Sequence, residues 1–107
     1  MIIYLQMLET PEEKSKFEQL YLEYKGLMFH VAYDILHNEQ DAEDAVHQAF
    51  VKVAENIKKI GEPVCPKTHS YVVTIVENKA IDQYRKRQKH QTVELIDDIQ
   101  GTEAHYE

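Results

Sequence analysis

The sequence contains few residues that interrupt regular structure. Its 107 residues include only three glycines and three prolines. No stretch alternates apolar and polar residues for long enough to indicate a β-strand. These absences exclude a domain rich in strands or tight turns, and they favour an all-α fold.

Two further absences limit the class of protein. A single cysteine, Cys65, excludes an internal disulfide framework. The sequence has no apolar run of roughly 18 residues or more, and no basic leader followed by an apolar stretch. We therefore expect a soluble, reduced protein in the cytoplasm.

The composition predicts one domain with two different ends. About 43% of the 107 residues are apolar, which is enough for one modest core. We predict a domain over residues 1–90, in which residues 1–10 are an N-terminal extension that packs or frays. Residues 91–107 hold five acidic residues and no Lys or Arg, and we predict a disordered acidic linker there.

Apolar residues that recur at three- and four-residue steps predict three main helices, at about 12–37, 39–60 and 68–90. Thr10 is placed to cap the first helix and Asn38 to cap the second. Two prolines between residues 61 and 69 predict a loop of nine residues. The predicted architecture is a compact bundle of three helices.

The third predicted helix has two different faces, as its 100° rotation per residue shows. One sector is predicted to face the core and contains Val72, Val73, Val76, Ala80, Gln83 and Tyr84. A second stripe aligns an aromatic ring, an amide, a carboxylate and two cations on one line. It contains Tyr71, Ile75, Asn78, Asp82, Arg85 and Lys89.

The end of this helix is basic although the chain has a formal net charge of -7. Residues 79–89 contain five cationic residues and one acid, a local charge of +4. Runs of charged residues usually form solvated surface, and cations are favourable near a helix C-terminus. Composition alone therefore leaves open that this segment is ordinary surface with no binding role. The aromatic and amide groups on the same face favour nucleic-acid binding, because phosphate contacts give affinity while stacking and amide hydrogen bonds read unpaired bases.

Two segments carry a specific pattern. The first is DAEDAVHQAFVKVAENI, and the second, after the loop, is SYVVTIVENKAIDQYRKRQK. Their most specific parts are the Ala42-Glu43-Asp44 start with Phe50 after it, and an N-x-A-I-D-x-x-R pattern formed by Asn78, Asp82 and Arg85. Together they resemble the second conserved region of bacterial RNA polymerase sigma factors of the extracytoplasmic-function (ECF) group, over about residues 17–89.

The resemblance implies an all-helical domain with two binding surfaces. The second helix would bind the clamp helices of the largest catalytic subunit of RNA polymerase, through Asp44, His47, Gln48 and Val51. The third helix and the preceding loop would bind the non-template strand of the promoter minus-ten element, hold a flipped base and stabilise the melted bubble. The implied DNA-binding residues are Lys67, Tyr71, Thr74, Asn78, Lys79, Asp82, Arg85, Lys86 and Lys89.

The sequence departs from the family pattern at several positions. His47 stands where the family commonly has glutamine, and Gln48 where it commonly has glutamate, so one charge is lost from the expected clamp contact. Thr74 and Glu77 occupy sites that are often basic. Such factors also carry a helix-turn-helix domain, region 4, for the minus-thirty-five element, and we expect it to be absent from these 107 residues.

Other interpretations remain open at the sequence level. Asp82 is also placed to form an ion pair with Arg85 or Lys86 within its helix. Tyr71 is also placed to pack against the core at the helix start. An alternative function is a helical interaction module or regulator that sequesters a transcription partner without reading DNA. An anti-sigma factor is a further candidate partner.

Nothing in the sequence indicates an enzyme. It contains no nucleophile motif, no phosphate-binding loop and no identifiable pair of catalytic carboxylates, so we expect no small-molecule substrate. The six histidines and Cys65 show no metal-ligand spacing. We therefore expect neither a cofactor nor a metal ion.

Overall fold

The fold is built from helices. A computed structural model describes the backbone of residues 2–102 and the side chains of residues 3–89. This part of the chain has four α-helices, one short 3-10 helix and no strand. They are α1 (Ile2–Leu5), α2 (Pro11–Leu36), α3 (Glu39–Glu55), the 3-10 helix (Ile57–Lys59) and α4 (Pro66–Thr102). The all-α prediction is confirmed, with α2, α3 and α4 as the three main helices.

The start of α2 follows the predicted capping pattern. The Thr10 backbone is extended and its hydroxyl accepts a hydrogen bond from the Glu13 backbone N–H at 3.1 Å. The Glu13 carboxylate in turn accepts from the backbone N–H of Glu9, the residue before the cap, at 3.0 Å, in a variant of the capping box. Lys58 also donates to Glu13, and this hydrogen bond holds the pKa of Glu13 below its ordinary value.

A tight connection makes α2 and α3 antiparallel neighbours. His37 adopts the left-handed conformation, with φ of 55°, and its N–H donates to the Tyr33 carbonyl at 2.8 Å. Asn38 follows in an extended conformation, and its side-chain oxygen accepts from the Asp41 N–H at 2.8 Å. The predicted Asn38 cap is therefore present, and only two residues join the helices.

The core lies between α2, α3 and α4. The largest fully buried side chains are Phe17, Phe50, Leu20, Met28, Leu36, Val53, Val72 and Val76. At one side of the core, four aromatic rings form a cluster whose members are Tyr4, Phe17, Tyr21 and Phe50. Their centroids are separated by 4.8 to 6.2 Å, a range typical of favourable aromatic pairs.

The N-terminal extension packs against this aromatic cluster. Tyr4 and Leu8 are each only 6% exposed, as buried as residues of the main helices. Burial of a large apolar side chain stabilises a fold by about 1.5–3 kcal/mol. Of the two behaviours predicted for the extension, packing is therefore the one found among its described residues.

The connection between α3 and α4 differs from the prediction. α3 ends at Glu55 rather than near residue 60, because the Asn56 side chain donates to the Lys52 carbonyl at 3.1 Å and the chain then tightens into the 3-10 helix. Ile57 and Ile60 remain buried in the new path, so apolar spacing alone did not reveal the break. α4 begins at Pro66, inside the predicted loop, since a proline needs no hydrogen-bond acceptor in the first turn.

The C-terminal part of α4 also differs. Its backbone is helical to Thr102, beyond the predicted end near residue 90, and no proline or glycine interrupts residues 90–100. Side chains after Lys89, and residues 103–107 altogether, lie outside the described part of the chain. The linker predicted for residues 91–107 stays a prediction. No helix among the described residues has the length and apolar character needed to cross a membrane.

The predicted core face of α4 is right at its start and wrong at one later position. Val72, Val76 and Ala80 are fully buried and Val73 and Gln83 are half-buried, whereas Tyr84 is 40% exposed. Arg87, three residues further on, turns inward instead. At this point α4 lies beside the end of α2 and the start of α3. The groups that face it there are polar, namely the Leu36 carbonyl and the Asp41 carboxylate.

Arg87 joins all three main helices at one end of the bundle. Its guanidinium donates to the Asp41 carboxylate at 2.5 Å and to the Leu36 carbonyl at 3.0 Å. The Leu36 carbonyl belongs to the last turn of α2, where a cation also interacts favourably with the helix dipole. Arg87 is therefore a structural residue inside the basic segment of α4.

Replacement of Arg87 by alanine is expected to lower the free energy of unfolding by about 1–2 kcal/mol, because two charge-assisted hydrogen bonds are lost. Chemical denaturation followed by circular dichroism measures this change. Arg85→Ala is the matched control, since Arg85 is exposed on the same helix, and it should stay within about 0.5 kcal/mol of wild type. Similar losses in both variants would contradict the structural role of Arg87.

Candidate nucleic-acid and polymerase interfaces

The outer face of α4 carries most of the predicted DNA-binding residues. Asn78, Asp82, Arg85 and Lys89 are exposed along this face, as are Thr74 and Lys86. Tyr71 and Ile75, at the start of the same stripe, are half-buried and pack against the core. The face therefore runs from an apolar, anchored end to a solvated, cationic end.

Asp82 does not form the ion pair with Arg85 or Lys86 that its position in the helix would allow. Among the described side chains, ion pairs join Lys58 to Glu9 and Glu13, and Arg87 to Asp41. Neither Arg85 nor Lys86 pairs with Asp82 in this part of the chain. Arg85 and Lys86 are therefore not held by Asp82 in an ion pair.

The loop before α4 is held by hydrogen bonds to its backbone. Thr68 is buried, and its hydroxyl donates to the Glu62 carbonyl at 2.5 Å. The Tyr24 hydroxyl donates from α2 to the Cys65 carbonyl at 3.3 Å. The Cys65 thiol lies 3.4 Å from the Thr68 hydroxyl oxygen, which can accept a hydrogen bond from it.

A small pocket lies between this loop and the start of α4. It has a volume of about 130 Å³ and is lined by Lys59, Ile60, Gly61, Lys67, Thr68 and Tyr71. The ring of Tyr71 and the side chain of Ile60 supply apolar surface, while Lys59 and Lys67 are exposed. An apolar pocket beside cations suits an unpaired base whose flanking phosphates need neutralising.

The predicted polymerase-binding residues lie on α3. Asp44, His47 and Gln48 are exposed, and Val51 is half-buried against the core. A groove of about 390 Å³ runs between α3 and α4 and is lined by His47, Gln48, Val51, Lys52, Glu55 and Lys79. Lys79 was predicted with the DNA-binding set, but the structure places it beside the residues of α3.

Comparison with known families identifies the domain. A family model described as Sigma-70 region 2 matches residues 20–90, roughly two thirds of the chain. The chain belongs to the sigma-70 region 2 family. Its members are transcription initiation factors rather than a known enzyme family. Searches of curated proteins and of solved structures gave no significant match.

Membership of the sigma-70 family supplies the general role of the domain. Region 2 of a sigma factor takes part in promoter recognition and in binding RNA polymerase. RNA polymerase and promoter DNA are therefore the general partners of this domain. The family match covers α3, the loop and α4 as far as residue 90, so it includes every site residue predicted from the sequence.

The charge distribution of this sigma-70 domain separates the two surfaces. The first part of α3 carries four acidic residues, Glu39, Asp41, Glu43 and Asp44, and no cation. The segment of α4 from residue 79 to 89 carries five cations and one acid. Asp41 and Arg87 neutralise each other in an ion pair, which leaves three acids on the first surface and four cations with one acid on the second.

One contact of His47, a predicted polymerase-binding residue, could not be found from sequence. The Tyr4 hydroxyl lies 2.7 Å from Nδ1 of His47, and the two ring centroids are 5.3 Å apart. Tyr4 also lines a groove of about 590 Å³ between α2 and α3, together with Tyr21, Phe29 and Phe50 among others. The apolar character of the first eight residues was the only available signal, and it did not indicate which helix they would meet.

The described part of the chain was also compared with the arrangements of side chains that hold metal ions. Among residues 3–89, no group of three or more His, Cys, Asp and Glu side chains is arranged to hold a metal ion.

Proposed function

We propose that this chain is the promoter-recognition and promoter-melting domain of a sigma factor of the ECF group. In this proposal α3 binds the clamp helices of the largest catalytic subunit of RNA polymerase. The loop and α4 bind the non-template strand of the minus-ten element. The observation that carries the proposal is the exposed face of α4, where Asn78 lies between the Tyr71 pocket and the terminal cations.

The DNA-facing part of the proposal assigns separate tasks to separate groups. Asn78 and the loop beside the pocket would read unpaired bases, with Tyr71 next to the point of melting. Lys67, Arg85, Lys86 and Lys89 would bind phosphates. Thr74 and Asp82 lie on the same exposed face and would contact the strand between these groups, while Lys79 would approach it from the groove between α3 and α4.

Energetics support base capture as the means of opening the duplex. Extrusion of a base costs a few kcal/mol, and stacking of a captured base on an aromatic side chain returns about 1–3 kcal/mol. A pocket that is already formed in the free protein gives a larger net binding free energy, because the protein has little to reorganise when the base enters. Hydrogen bonds from Thr68 and Tyr24 hold the pocket in the free domain.

The polymerase-facing part of the proposal rests on α3. Asp44, His47 and Gln48 offer three exposed polar groups, and Val51 adds apolar surface at the edge of the groove. No covalent bond is made or broken by this chain in the proposed role, and RNA synthesis belongs to the polymerase. The domain would work in the cytoplasm, where RNA polymerase is found.

The division of labour between α3 and α4 can be tested with one variant on each helix. Asn78→Ala is expected to reduce promoter opening about tenfold, since one base-reading amide is lost, and to leave polymerase binding unchanged. Asp44→Ala is expected to weaken binding of core polymerase several-fold. Fluorescence anisotropy with labelled core polymerase measures binding, and a fluorescent base in the minus-ten element reports opening.

The two variants act as controls for each other, because both side chains are exposed and neither change should unfold the domain. At saturating polymerase, Asp44→Ala should open the promoter as wild type does. Equal loss of both activities in either variant, with circular dichroism unchanged, would contradict the proposal.

A further inference from the structure

We propose that Tyr4 is a positioning residue for polymerase binding, because its hydroxyl holds the His47 imidazole in the orientation that α3 presents to the clamp helices. This inference rests on the proposed function of α3. Tyr4 lies outside residues 20–90, the part that the family model matches. Its contribution is therefore a property of this chain's own N-terminal segment.

Tyr4 is itself fixed in place. It is 6% exposed, and its ring lies 5.4 Å from Phe17, 6.0 Å from Tyr21 and 5.8 Å from Phe50, measured between centroids. Leu8 is equally buried and secures the other end of the segment. Displacement of the segment would expose both side chains to water, so we infer that it stays in place when a partner binds α3.

The hydroxyl of Tyr4 points toward His47, an exposed residue of α3. It lies 2.7 Å from Nδ1 of His47, within the range of a strong hydrogen bond. Burial, with a smaller effect of Tyr21, raises the pKa of Tyr4, so the hydroxyl keeps its proton. When Tyr4 donates to Nδ1 of a neutral imidazole, the hydrogen of the ring is on Nε2, which is then the donor available to a partner.

The position of His47 explains why its orientation matters. His47 lines both grooves of α3, the one shared with α2 and the one shared with α4. It is exposed between them, next to Gln48 and one helical turn after Asp44. An exposed side chain loses rotamer freedom when it is bound, and a side chain that is already held loses less.

A double-mutant cycle on polymerase binding tests this inference. Four proteins are compared for their affinity to core polymerase: wild type, Tyr4→Phe, His47→Ala and the double variant. Tyr4→Phe keeps the ring in the aromatic cluster and removes only the hydroxyl, and we expect it to weaken binding about 3- to 10-fold. In the His47→Ala background the same change should have no further effect, because its target is gone.

Tyr21→Phe is the matched control, since it removes a hydroxyl from the same aromatic cluster but not from a contact with His47. Its affinity should equal that of wild type. A general loss of stability would lower the affinity in both backgrounds of the cycle, so it would not mimic the expected coupling. Melting temperatures of all variants are measured alongside.

The inference would be overturned if Tyr4→Phe bound core polymerase with wild-type affinity. It would also be overturned if this change lowered the affinity equally in the wild-type and His47→Ala backgrounds. If Asp44→Ala weakens binding in the same assay, the proposed function survives that result. Failure of the wild-type chain itself to bind core polymerase would instead remove the proposed function, and the role of Tyr4 with it.

Discussion

Phe50→Ala is expected to lower the free energy of unfolding by about 3–5 kcal/mol, the usual loss when a large aromatic side chain is removed from a core. Phe50 is fully buried on α3. Its ring centroid lies 4.8 Å from that of Tyr21 and 5.8 Å from those of Phe17 and Tyr4. The change therefore removes the ring that three others contact, and it loosens α2 and the N-terminal segment together.

The measurement is urea denaturation followed by far-ultraviolet circular dichroism. Domains of this size are stable by about 5–15 kcal/mol, so Phe50→Ala should leave only a small margin and a much lower denaturation midpoint. Leu22→Ala is the control on α2, because Leu22 is 63% exposed and its loss should change stability by no more than about 0.5 kcal/mol. A loss below about 1 kcal/mol for Phe50→Ala would mean that the cluster is not packed as described.

Replacement of Lys86 and Lys89 by glutamine is expected to weaken binding of single-stranded minus-ten DNA about 25-fold at 0.1 M salt. Each phosphate contact on single-stranded DNA contributes about 0.7 to the slope of log affinity against log salt. Loss of two contacts should therefore reduce the slope by about 1.4. Both lysines are exposed at the cationic end of α4, so the folded domain should be unaffected.

The measurement is anisotropy of a labelled oligonucleotide, titrated with the complex of this chain and core polymerase at several salt concentrations. Lys14→Gln with Lys25→Gln is the matched control, since it removes the same charge from exposed positions on α2. That control should leave the slope unchanged. Equal slopes for both pairs would favour the alternative of an interaction module that binds its partner without reading DNA.

Local signals in the sequence predicted the starts of helices better than their ends. The caps at Thr10 and Asn38 were predicted because each depends on residues only three positions apart. The end of α3 was missed because Asn56 breaks the helix while Ile57 and Ile60 continue the apolar spacing. The helix ends where the Asn56 side chain hydrogen-bonds to a backbone carbonyl. The spacing of apolar residues gives no information about such hydrogen bonds.

The candidate site divides in the same way. Helical periodicity predicted that Asn78, Arg85 and Lys89 share one exposed face of α4, since this depends only on rotation per residue. Tyr84 was placed in the core because periodicity does not indicate where a neighbouring helix ends. Contacts between distant residues, such as Tyr4 with His47, depend on how the helices pack and have no local signal.

The bonds of Arg87 have a mechanical consequence for the two surfaces. They fasten α4 to the last turn of α2 and the first turn of α3, while Tyr24 fastens the opposite end of α4 through the Cys65 carbonyl. These bonds tie α4 to α2 at two points, and to α3 at the one formed by Arg87. In the proposed role, the Arg87–Asp41 contact would pass the orientation of α3 on the polymerase directly to the helix that guides the separated strand.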